Sequence, residues 1–80
     1  SHMSVEWTLS CLKRMDALDR AVLIVDPVSR KVCDKLDKDA IRAVADRYGV
    51  PLIVTPGNGE PAEIPEGTGT VIEMVKEGYQ

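Results

Sequence analysis

Val5, Trp7, Leu9 and Cys11 alternate with Glu6, Thr8 and Ser10, a period of two that predicts a half-buried strand, since on a helix Val5 and Trp7 would face apart. The pattern changes at Ser10. That residue is placed to cap a short helix whose apolar positions Cys11, Leu12, Met15 and Leu18 recur at steps of three and four, with Lys13, Arg14, Asp16 and Asp19 outside. Ala21-Val22-Leu23-Ile24-Val25 is uniformly apolar, the pattern of a central strand covered on both faces, and Asp26-Pro27 ends it. From Val28 to Asp34 two readings stand. Val28, Val32 and Leu36 fit a helical stripe, whereas Asp26-Pro27 ahead of Lys31-Val32-Cys33 fits a turn.

Asp37 is an N-cap, Leu36 and Ile41 hold the positions of a hydrophobic staple, and Ile41, Val44, Ala45 and Tyr48 make one apolar stripe that stops at Gly49. This predicts a helix. Val50 is extended by the proline after it, and Leu52-Ile53-Val54-Thr55 continues as a buried strand. Pro56-Gly57-Asn58-Gly59 is a dense turn signal that predicts a hairpin, with Glu60 to Ile64 returning as a strand confined to an edge by Pro61. After Pro65-Glu66-Gly67-Thr68-Gly69, Thr70 and Glu73 have capping-box spacing ahead of Val71, Ile72 and Val75, so a terminal helix is expected, with a strand as its rival because the run is β-branched.

The expected order is therefore strand, helix, strand, helix, strand, hairpin strand, helix. Val5 to Leu18, with Cys11-Leu12-Lys13-Arg14 at the strand-to-helix junction, resembles the first strand and helix of the thioredoxin and glutaredoxin superfamily. Tyr48-Gly49-Val50-Pro51-Leu52-Ile53-Val54 is similar to the segment whose proline precedes the third strand of that family. The resemblance implies a βαβαββα fold: one small α/β domain, a mixed four-stranded sheet with helices on its faces, and a cis bond before Pro51 beside the active site. It also marks a departure. Arg14 stands where the second cysteine of a C-x-x-C pair would be, and Thr8 stands where a nucleophile would precede Cys11 as the resolving thiol.

Composition narrows the function classes. Apolar residues make up 44% and charged residues 29% of the 80 positions, a globular balance rather than that of a disordered chain. Ser1-His2-Met3 reads as the scar of a cleaved tag, which leaves residues 4–80 as a single domain and sets aside His2, the only histidine. Without a histidine there is no Ser/His/Asp or Cys/His arrangement and no zinc-ligand spacing. A net charge of -3, with Lys13, Arg14, Arg20, Arg30, Lys31, Arg42 and Arg47 interspersed with acids, points away from nucleic acid and membrane surfaces. No apolar run approaches the ~20 residues that span a bilayer, and two cysteines are too few for a disulfide framework, so a cytoplasmic setting is expected.

Candidate chemistry is sparse. A cysteine in the first turn of a helix meets the positive end of its dipole, and Lys13 and Arg14 would add cationic charge, which makes Cys11 the one nucleophile candidate; burial on an apolar face is the plainer account of it. Asp34, Asp37 and Asp39 are explained by their place at a helix start, and no metal site is expected. Gly67 and Gly69 could turn backbone N–H groups toward an anion, part of glutathione under the family likeness, though a plain connection is the simpler account of them. Glu60, Glu63 and Glu66 would give an acidic rim that suits a basic partner, though an ordinary solvated loop is the plainer account of them. Asp26 and Thr55 end two strands, as at the carboxyl-edge sites of open α/β sheets. The leading expectation is a non-catalytic binding or regulatory module, monomer or homodimer, that meets a protein partner through the Gly/Pro/Glu loop and the surroundings of Cys11, without a cofactor. Two alternatives accompany it: a monothiol redox protein in which Cys11 forms a mixed disulfide with glutathione or a client and Pro51 shapes the binding edge, and a subunit that associates through an edge strand.

Overall fold

The computed structural model describes residues 2–77, and along them the chain forms α1 (His2–Arg14), β1 (Ala21–Pro27), α2 (Arg30–Lys35), α3 (Lys38–Arg47), β2 (Leu52–Val54) and β3 (Thr70–Lys76). The strands make one sheet in the order β2-β1-β3, with β1 paired in parallel to both neighbours. The class is α/β, as expected. The arrangement is not the mixed four-stranded βαβαββα plan: the sheet has three strands, all parallel, and no peptide bond among the described residues is cis, that before Pro51 included.

The opening segment is a helix rather than a strand. Val5 and Leu9 are buried and Leu12 packs against the same core, so the stripe runs i, i+4, i+7 along one face of α1. Trp7 lies off that stripe and is 70% exposed. Ser10 sits in mid-helix, its hydroxyl donating to the Trp7 carbonyl at 3.0 Å, instead of capping a helix from Cys11 to Leu18. The helix stops at Arg14, and Asp16 takes a left-handed conformation (φ 56°) just beyond.

β1 is the central strand that its unbroken apolar run predicts: Ala21 to Val25 are all buried. Side chains of Ala21, Leu23 and Val25 face α1 and α3, where they join Ile41, Val44, Ala45 and Ile72. Val22 and Ile24 are buried on the opposite face, outside that cluster. The segment from Val28 to Asp34, left open by sequence, holds the short helix α2, whose cap Ser29 accepts from the Val32 N–H. α3 begins at the expected cap, with Asp37 Oδ1 accepting from the Ala40 N–H at 3.1 Å. It ends before Gly49, whose φ of 67° favours glycine.

Two expectations in the last third are corrected. Glu60 to Ile64 form no strand, because β2 and β3 run parallel on opposite sides of β1 and cannot be joined by a tight turn; residues 55–69 are the crossover, built without a helix. The expected terminal helix is β3. Ile72 is buried and Met74 packs on the helix-side core, while Val71, Glu73 and Val75 are exposed, and this alternation with its β-branched residues outweighs the capping-box spacing of Thr70 and Glu73. Gly78 to Gln80 lie outside the described residues.

Candidate functional site

At the carboxyl edge of the sheet the ends of β1 and β2 are tied together. Thr55, buried, donates its N–H to the Val25 carbonyl at 3.0 Å and its hydroxyl to Asp26 Oδ1 at 2.6 Å. Its own carbonyl accepts from the buried Cys33 thiol at 3.6 Å, so β1, α2 and β2 converge on one residue. Gly57 then passes against the entry to α2. A Cβ there would stand 2.3 Å from the carbonyl carbon and oxygen of Ser29, and φ is 79°. Only glycine fits both conditions.

This fixed start directs the crossover over the face of the sheet opposite α1 and α3. Asn58, next in the chain, makes an Asx turn: its Oδ1 accepts from the Glu60 N–H at 3.0 Å and its amide donates to Glu60 Oε2 at 2.9 Å. The Asn-Gly pair that reads as a hairpin signal thus serves to hold Glu60 in place. Beyond it Pro61, Ala62 and Ile64 bridge toward β3, and a cleft of about 390 Å³ remains between crossover and sheet. Ile24 and Asp26 of β1, Val71 and Glu73 of β3, and Thr55, Glu60 and Ile64 face it. Among the described residues that line it there are three carboxylates and no basic side chain.

The residues singled out by sequence fall in different places. Glu60 is on the cleft. Glu63 is exposed on the crossover without lining that hollow. Pro51, Glu66 and Gly67 meet at the amino edge of the sheet, around a shallow hollow of about 290 Å³ shared with Arg20 and Gly49. Gly69 donates its N–H to the Arg20 carbonyl at 2.7 Å, anchoring the start of β3, and is committed to the backbone of the fold rather than to an anion. Cys11 is half-buried in the last turn of α1, not the first, where Arg14 Nη2 donates to its sulfur at 3.4 Å. The carbonyl end of a helix carries the negative pole, so the dipole argument for that thiol has no basis. Arg14 and Lys13 are exposed, and Lys13 lies over the Tyr48 ring at 5.8 Å.

Sequence reasoning missed Ile24, Ile64, Val71 and Glu73 as site residues. The signal was available in Val71-Ile72-Glu73-Met74-Val75, where a lone acid sits at the centre of the alternating face of a strand. No group of three or more His, Cys, Asp or Glu among the described residues is placed to hold a metal ion. None of their helices is long and apolar enough to cross a membrane. Compared with known proteins, the chain matches no family model, no curated protein and no solved structure.

Proposed function

We propose that this chain is a small non-catalytic binding module that engages a protein partner through the cleft between the 55–69 crossover and the open face of the sheet. The observation that supports it is the make-up of the cleft: Asp26, Glu60 and Glu73 are interspersed with Ile24, Ile64 and Val71, and no basic side chain is among the described residues that line it. Such a surface favours an occupant that is both basic and apolar. The apolar positions supply the burial, and the acids select the sign of charge. Each exposed charge pair is worth about 0.2–1 kcal/mol, so removing two of the acids is expected to weaken a basic partner roughly 2-fold to 30-fold.

The test is selection from a random peptide library displayed on phage, run in parallel on the wild-type protein and on a Glu60→Gln/Glu73→Gln variant. Peptides enriched in Lys or Arg flanked by aliphatic residues are expected on the wild type and not on the variant. Recovery of the same sequences on both proteins, or of sequences without basic residues, rejects the proposal.

A further inference from the structure

Resting on that reading of the cleft, we infer that the partner binds as an extended segment added to the outer edge of β3, making a fourth strand with one basic residue directed at Glu73. β1 is hydrogen-bonded on both sides and β2 has three residues, which leaves β3, with seven, as the long open edge. No strand among the described residues pairs with its outer side. At about 3.3 Å per residue its row of backbone donors and acceptors extends for roughly 23 Å. Open edges of this kind are templates for strand addition.

The cleft adjoins this edge. Val71 and Glu73 line it, and Val75 continues the same face at 56% exposure, with Val71 at 47%. Side chains opposite one another in a sheet share a face. An added strand would therefore place one residue beside Glu73 and the residues two before and two after it beside Val71 and Val75. The complementary pattern is aliphatic, any, Lys or Arg, any, aliphatic. Charge also disfavours a second copy of this chain in the full-length antiparallel register of β3, which centres on Glu73 and sets two carboxylates directly opposite, an unfavourable pair.

The probe is the peptide acetyl-Thr-Val-Thr-Lys-Thr-Val-Thr-amide, titrated into isotopically labelled protein and followed by the amide signals of β3. Two further peptides carry N-methyl groups on alternate residues, one on each set, because only one set can donate to β3. The parent peptide is expected to shift the signals of Val71, Glu73 and Val75, and one methylated peptide is expected to bind at least 10-fold more weakly while the other stays within about 3-fold. Replacing the peptide Lys by Glu is expected to abolish binding. If both methylated peptides bind as the parent does, yet Glu60→Gln/Glu73→Gln weakens all three, strand addition is wrong and the acidic cleft stands. If the parent binds and the double variant changes nothing, the cleft reading falls and this inference with it; if the parent does not bind, strand addition is wrong and the cleft reading is decided by the library selection.

Discussion

Gly57 concentrates two constraints that usually occur apart, a left-handed backbone and contact with another segment. Alanine there adds the cost of the conformation, about 1–2 kcal/mol, to a clash with the Ser29 backbone at 2.3 Å that only a shift of the loop or of α2 relieves. Gly59 has a similar φ of 86° and open space around its Cβ position, which separates the two effects. Gly57→Ala is therefore expected to lower the free energy of urea unfolding by about 2–4 kcal/mol, and Gly59→Ala by about 1 kcal/mol; equal losses would show that the close approach does not matter. Thr55 is governed by hydrogen bonding instead. Thr55→Val keeps its shape but deprives Asp26 of a donor at 2.6 Å, and a bond to a charged acceptor is worth about 1.5–3 kcal/mol. A loss in that range is expected for Thr55→Val, with a smaller one for Thr55→Ser, which retains the hydroxyl.

At the scale of elements, α1 shows why a sequence can support two periods at once. Val5 and Leu9 belong both to an alternating series with Trp7 and Cys11 and to a helical series with Leu12, so the decision rested on whether Trp7 or Leu12 shares their face. Trp7→Lys decides it experimentally: on α1 it is expected to change stability by no more than about 0.5 kcal/mol, whereas Leu9→Ala, fully buried, is expected to cost about 2–5 kcal/mol. A large loss for Trp7→Lys in urea unfolding would restore the strand. β1 and α3 were legible because independent signals agreed: an unbroken apolar run for a strand covered on both faces, and a cap, staple and terminal glycine for the helix. β3 was not, since Thr70 and Glu73 mimic a helix start and the pairing that makes them a strand comes from β1, some 50 residues earlier in the chain. The site followed the same division. Asp26, Thr55 and Glu60 were visible as strand ends and loop acids, while Glu73 and Val71 were hidden by the helix expected over them.

For the whole molecule the unusual feature is the cover of the sheet. Parallel sheets are ordinarily shielded on both faces, because their crossover helices pack there. Here α1 and α3 cover one face and the crossover 55–69 runs over the other, where Val22 and Ile24 are 1% and 5% exposed. The crossover therefore acts as a structural layer as well as a wall of the cleft. Its length cannot be cut freely, because it must carry the chain from the carboxyl end of β2 past β1 to the amino end of β3. Its composition can be changed at constant length. Replacing residues 61–64 by Gly-Ser-Gly-Ser removes Pro61, Ala62 and Ile64 from above the sheet and adds freedom to the unfolded chain. Re-exposing part of Ile24, whose full burial is worth about 1.5–3 kcal/mol, together with that entropy, is expected to lower stability by about 2–3 kcal/mol. The same variant is expected to bind a hydrophobic fluorescent dye while keeping its helical circular dichroism, since the core on the α1 and α3 side is untouched. A replacement that leaves stability and dye binding unchanged would mean that the crossover is an ornament on a sheet able to stand bare on one side.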